Sequence, residues 1–155
     1  MRVIVDSNVW SAASRKQTGD PSPDLRLLRE LIRQGRVQRL GCIRQEVLQG
    51  LRRQDAFERT RQDLRALPDR EASFFEYELA AEFFNTCQSR GIQESSTDFL
   101  IAACSVSWGL PLLTKNRDFQ RYAEHIPLEL VKVQSCQGEL WAWSPGGAGW
   151  GRSNQ

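Results

Sequence analysis

The sequence predicts one domain of the α/β class, a largely parallel sheet covered by helices on both faces. Three observations lead there. The chain has 155 residues, enough for one good-sized core between packed layers and cramped for two domains. Short β-branched or apolar runs alternate with segments of helical period. Strands separated by helices in this way imply parallel pairing and a sheet buried on both sides.

In chain order, "RVIV" at residues 2–5 reads as a buried strand ending at Asp6, followed by a turn or helix at "SNVWSAA". "RKQTGDPSPD" is a loop, with Gly19, Pro21 and Pro23 clustered. A helix follows from Asp24 to about Gln34, with Leu25, Leu28, Leu31 and Ile32 inward and Gly35 as its stop. "VQRLGCI" supplies a second short strand, and "RQEVLQGLRR" a helix that begins near Glu46 with Val47, Leu48 and Leu51 inward. Residues 55–65 continue as a basic helix, and "ALPDRE" is a turn after at most a marginal strand. From Ala72 to Arg90 a helix carries Phe75, Leu79, Phe83 and Cys87 at steps of four, read as a core stripe, and ends at Gly91. "TDFLIAACSVSW" is a short apolar helix stopped by Gly109; "LPLLT" is a third strand, "NRDFQRYAE" a loop and short helix, and "LELVKV" a final strand. This divides the chain into a domain of residues 1–136 and a Trp/Gly-rich extension of residues 137–155, expected to be partly flexible, in which no chemistry is readable.

With 40% hydrophobic and 26% charged residues, the composition is that of a soluble globular protein. No apolar run approaches the roughly 18 residues of a membrane span, and "MRVIVDSNVW" lacks the pattern of a secretory signal, so a cytoplasmic location is the expectation. Cys42, Cys87, Cys104 and Cys136 are scattered, with His125 the one histidine, which points to reduced thiols and away from a Cys/His metal site. No G-x-S-x-G elbow accompanies His125. Net charge is only +2, but Arg26 to Arg65 holds eleven Arg against five acids. Any single Arg is best read as part of a solvated face. Eleven without a Lys point towards a polyanionic partner, because guanidinium forks grip phosphates bidentately.

Four acids share a topological position. Asp6 follows the first strand, Asp118 follows the third, Asp98 opens the helix that feeds the third, and Glu46 opens the helix after the second. Sites in such sheets form outside the carboxyl ends of the strands. Taken singly, each acid is better explained as a cap, a first-turn acid or a loop acid. Clustered, they repel unless a proton or cation neutralises them. Oxygen ligands without His or Cys favour a hard ion, Mg2+ or Mn2+, which suits phosphodiester hydrolysis.

"VIVDSNVW", "IRQEVLQGL", "TDFLIAACSVSWGLPLLTKNRDF" and "LELVKV" together resemble a PIN domain, in particular the small VapC-type toxins of toxin–antitoxin pairs. The resemblance implies a three-layer α/β/α sandwich with a short, mainly parallel sheet and a metal-dependent endoribonuclease acting on RNA. It places the acidic site on Asp6, Glu46, Asp98 and Asp118, with Mg2+ or Mn2+ as cofactor. Ser7 and Asn8 fit the "D-[ST]-N" form, and Thr114 and Asn116 the "T-x-N-x-x-DF" pattern, although only Arg117 separates Asn116 from Asp118. These four polar residues are expected to orient carboxylates or waters. The resemblance further implies a homodimer and a small antitoxin protein whose C-terminal segment covers the acidic groove.

Rival readings fit less well. A receiver domain should carry an acidic pair after its first strand, which "DSNVW" lacks; a haloacid-dehalogenase-like phosphatase would want D-x-D, and residue 8 is Asn. No G-x-x-x-x-G-K-[ST] loop is present. Within the same fold, the alternative is a non-catalytic module that binds RNA or protein, and DNA cleavage is a further possibility since the backbone chemistry is shared.

Overall fold

Val3–Val5 (β1) is the centre of a three-stranded parallel sheet, flanked by Val37–Gln38 (β2) and Leu112–Leu113 (β3) in the order β2-β1-β3. The computed structural model describes residues 1–15, 18–93 and 95–133; the expected extension of residues 137–155, and Cys136, lie outside them. Val3 and Ile4 pair with Val37 and Gln38, and Ile4 and Val5 with Leu112 and Leu113. All three residues of β1 are buried, which is why it reads as a continuous apolar run.

The outer strands are shorter than expected. Over "LELVKV" the final strand reduces to one parallel bridge, Leu112 to Leu130, and "ALPDRE" contributes only Arg39 to Asp69. Pro111, which has no N–H to give the ladder, precedes β3. β2 stops at Gln38 because the chain turns at once into a helix.

Helices Ser7–Ala13 (α1), Pro23–Arg33 (α2), Gly41–Gln49 (α3), Gln54–Arg65 (α4), Phe74–Gln88 (α5), Ser96–Trp108 (α6) and Asp118–Tyr122 (α7) complete an α/β/α sandwich. Gly35, just beyond α2, has φ +64, and Gly109, which caps α6, has φ +62; glycine takes this left-handed conformation without penalty. In α2 the buried face is Leu25, Leu27, Leu28 and Leu31, whereas Ile32, expected inside, is 40% exposed and lines a groove with Trp10, Leu51 and Leu67. α3 begins at Gly41, so Glu46 sits in its second turn and not at its start.

On α5 the expected stripe is kept at Phe83 and Cys87, with Leu79 half-buried against the core, and is lost at Phe75. The buried residues of this helix are Glu76, Ala80, Phe83 and Cys87. Phe74, Phe75 and Tyr77 are 77%, 53% and 58% exposed. The reason is Glu76, whose Oε2 accepts from the Ser73 N–H at 2.7 Å and the Ser73 hydroxyl at 2.6 Å, forming a capping box. Its Oε1 accepts from Ser107 Oγ at 2.6 Å and Trp108 Nε1 at 3.2 Å, which draws this acid against α6. Arg70 covers the other side of that junction, 4.2 Å from the Trp108 ring. α6 itself is apolar around most of its circumference, with Phe99, Ile101, Ala102, Ala103 and Cys104 buried, because it packs in the middle of the fold.

The arginine-rich stretch is largely occupied. Arg39 is 1% exposed and gives Nη2 to the Leu64 and Leu67 carbonyls at the end of α4, with Asp69 3.0 Å away. Arg33, Arg44, Arg53, Arg59 and Arg61 also sit in ion pairs, with Glu30, Asp69, Asp55, Asp55 and Glu58 respectively. Arg29, Arg52 and Arg65 are exposed and form no ion pair among the described residues.

Candidate active site at the carboxyl edge of the sheet

β1 delivers Asp6 to the carboxyl edge, where it is 4% exposed and N-caps α1. Its Oδ1 accepts from the Ser7 N–H at 2.7 Å and Ser7 Oγ at 3.4 Å, and its Oδ2 from Asn8 Nδ2 at 2.9 Å and Thr114 Oγ1 at 2.6 Å. All four donors are neutral. No Arg, Lys or His pairs with Asp6 among the described residues. Burial pushes its carboxyl above the ordinary range, against the opposing pull of the bonds from Thr114, Ser7 and Asn8.

β3 delivers Thr114 to the same edge. Besides donating to Asp6, its hydroxyl oxygen accepts from Asn8 Nδ2 at 3.2 Å and the Asn116 N–H at 3.0 Å. Asn8 Oδ1 in turn accepts from the Lys115 N–H at 3.1 Å. Asn8 and Thr114 thus fasten the ends of β1 and β3 together around one carboxylate. Asn116 forms no hydrogen bond to an acid side chain among the described residues; its Oδ1 accepts from the Asp118 N–H at 3.0 Å and starts α7.

α6 runs into β3, so its N-terminus lies at the carboxyl edge, and Asp98 stands there in its first turn. The cap of this helix is Ser95, whose hydroxyl oxygen receives the Asp98 N–H at 3.4 Å; Ser96 and Thr97 are already helical. The Asp98 carboxylate instead accepts from the Tyr122 hydroxyl at 3.3 Å. Glu46 lies in the second turn of α3, where the Cys42 thiol is pushed up to about 11, chiefly by burial and further by the Glu46 charge. Asp118 opens α7, and its Oδ1 lies 3.5 Å from Arg121 Nη1.

Asp6, Asp98 and Asp118 stand at the carboxyl edge by their places beside β1, α6 and β3, Glu46 does not open its helix, and the four do not form the tight cluster expected. Among the described residues no three Asp, Glu, His or Cys side chains are grouped to hold an ion. Ser7, Asn8 and Thr114 gather on Asp6; Asn116 and Asp118 belong to the turn that follows. Tyr122 and Glu76 were not anticipated. Tyr122 offered no signal beyond its place in a short helix, whereas "SFFE" spells a capping box that could have marked Glu76.

A family model described as PIN domain matches residues 3–125. This chain belongs to the PIN domain family. No curated protein matches it. Among solved structures, this PIN domain is similar to FitAcB from Neisseria gonorrhoeae, at 18% identity and TM-score 0.66, covering 83% of this chain and 95% of that one. It is similar to VapBC2 from Rickettsia felis, solved bound to a DNA fragment from their promoter, at 18% identity and TM-score 0.69, over 84% and 97% of the two chains. DNA-bound VapBC from Salmonella typhimurium aligns at 18% identity and TM-score 0.62, over 84% and 96%. At these identities the likeness is one of fold.

The donor set of this PIN domain fits a hard divalent cation. Asp6 is a buried carboxylate held by neutral donors and offset by no cationic side chain among the described residues, so a cation beside it would lower the cost of burying its charge. Mg2+ is commonly held by one or two carboxylates with water completing its shell, so a three-acid cluster is not required.

Proposed function

We propose that this PIN domain is a metal-dependent endoribonuclease that hydrolyses RNA phosphodiester bonds, the toxin of a toxin–antitoxin pair. One observation carries the reading: the buried Asp6 carboxylate, ringed by neutral donors at the sheet edge that Asp98 also reaches. Asp6 and Asp98 would hold Mg2+ or Mn2+, with Glu46 and Asp118 completing the acidic site directly or through water. The cation, when bound, supplies activation of the attacking water and stabilisation of charge on the phosphate. Ser7, Asn8 and Thr114 keep the Asp6 carboxylate in one orientation, so no reorganisation is needed when the substrate arrives. Exposed arginines such as Arg29, Arg52 and Arg65 would bind flanking phosphates, while the buried Arg39 is committed to the fold. No helix among the described residues is long and apolar enough to cross a membrane, and the reading places the protein in the cytoplasm with its RNA.

Partners follow the same reading. The similar solved structures are of VapBC2 and VapBC, each bound to DNA; on the toxin reading, a small antitoxin would cover the acidic groove, presenting Arg to the carboxylates. A second copy of the chain would cover the exposed Phe74, Phe75 and Tyr77 and the apolar groove of about 420 Å3 between α5 and α6, lined by Tyr77, Ala81, Phe84 and Leu100.

A non-catalytic RNA- or protein-binding PIN module is the second reading, favoured by the lack of a three-acid group among the described residues. Purified protein incubated with RNA separates the two. The nuclease reading requires cleavage with Mn2+ or Mg2+ that stops on chelation and is lost in Asp6→Asn; a folded wild type that binds RNA and leaves it intact supports the module.

A further inference from the structure

We propose that Tyr122 is a positioning residue for Asp98, and that the segment from Thr114 to Tyr122 sets the separation between the two principal carboxylates. The inference rests on the reading of Asp6 and Asp98 as cation ligands. Thr114, at one end of the segment, donates to Asp6 Oδ2 at 2.6 Å; Tyr122, at the other, donates to Asp98 Oδ2 at 3.3 Å. Between them the Asn116 side chain accepts the Asp118 N–H and fixes where α7 begins. One short stretch of chain therefore touches both acids through neutral hydroxyls.

Tyr122 is built to hold still. It is fully buried, with its ring centroid 4.9 Å from Phe99 on α6 and 5.2 Å from Phe119 on α7. Phe99 is clamped in turn by Phe84 of α5, edge-on at 5.6 Å. The phenol thus has little rotamer freedom, and its hydroxyl needs a polar partner because the ring is out of water. Asp98 is a partner on that account. A neutral donor orients the carboxylate without cancelling its charge, which an Arg or Lys would do. At 3.3 Å the bond is long for an O–H···O pair, and contacts of this kind shorten when a site fills.

The test uses the full chain and Mn2+ alone as probe, titrated calorimetrically into wild type, Tyr122→Phe, Asp98→Asn and Phe119→Leu. Tyr122→Phe removes the hydroxyl and keeps the ring. The expected result is a loss of about 10-fold or more in Mn2+ affinity, with an unchanged melting midpoint; with RNA, kcat falls and KM holds. Phe119→Leu loosens the same aromatic cluster without touching the hydroxyl, so it should lower the melting midpoint and leave Mn2+ affinity intact. Mn2+ affinity in Tyr122→Phe within about twofold of wild type, while Asp98→Asn loses binding, overturns the inference alone. An equal loss in Phe119→Leu overturns it as well, since the role is then structural. A wild type that binds no Mn2+, or an Asp98→Asn variant that binds it normally, removes the site reading and the inference together.

Discussion

Replacing Glu76 by Gln should flatten the acid limb of the stability profile. In the folded chain the Glu76 carboxylate, 6% exposed, accepts from Ser107, from the hydroxyl and N–H of Ser73, and from Trp108. The Ser107 bond, followed by the Ser73 hydroxyl, holds its carboxyl down to about 2 from an ordinary 4.5, against the opposing effect of burial. A depressed carboxylate stabilises the fold above its unfolded value, and the gain is lost as pH falls from about 4.5 towards 2. That gain is worth on the order of 2–3 kcal/mol at neutral pH. Gln offers one acceptor oxygen and an amide that faces donors, so the variant should be less stable by about 2 kcal/mol at pH 7. Urea unfolding of wild type and Glu76→Gln at pH 7, 4 and 2.5 measures both quantities. The wild type should approach the variant as the pH drops; parallel profiles with a constant gap would refute the assignment of this acid limb to Glu76.

Further outcomes follow from the site and from the exposed face of α5. Thr114→Val removes the hydroxyl that donates to Asp6 and leaves Asn8 Nδ2 and the Asn116 N–H without that acceptor. RNA cleavage should drop about 10- to 100-fold, with a stability cost of about 1–2 kcal/mol by urea unfolding; cleavage within twofold of wild type would contradict the role given to Thr114. Phe75→Glu places a charge on the patch that a second copy would cover, so sedimentation should change from a wild-type dimer to a monomer. A wild-type monomer would refute that interface, as would a variant that stays dimeric.

The parts of the fold set by short-range patterns were legible. β1 and β3 stand out as apolar runs, and each is followed directly by polar residues, Asp6 to Asn8 and Thr114 to Asn116, that meet at the edge. Positions decided by tertiary partners were not. Phe75 extended the apolar stripe of Leu79, Phe83 and Cys87, yet Ser107 and Trp108, some thirty residues further on, draw Glu76 inside and leave Phe75 exposed. Arg39 looked like one charge in a basic run, and only the carbonyls at the end of α4 and Asp69 explain why a guanidinium is buried at the end of β2. At Asp118 the single-residue spacing after Asn116 hid the outcome: the turn consumes the Asp118 N–H, α7 begins at once, and the carboxylate pairs with Arg121. Asp98 was legible as an odd acid on an apolar helix, but its cap, Ser95, and its phenol partner were not.

The most direct test of the central claim is RNA 5′-end mapping after incubation with purified wild type or Asp98→Asn, each with Mn2+ and with excess chelator. The account predicts discrete new 5′ ends with wild type and Mn2+, and none with chelator or with a folded Asp98→Asn. The same ends from Asp98→Asn, or cleavage that persists after chelation, would contradict it.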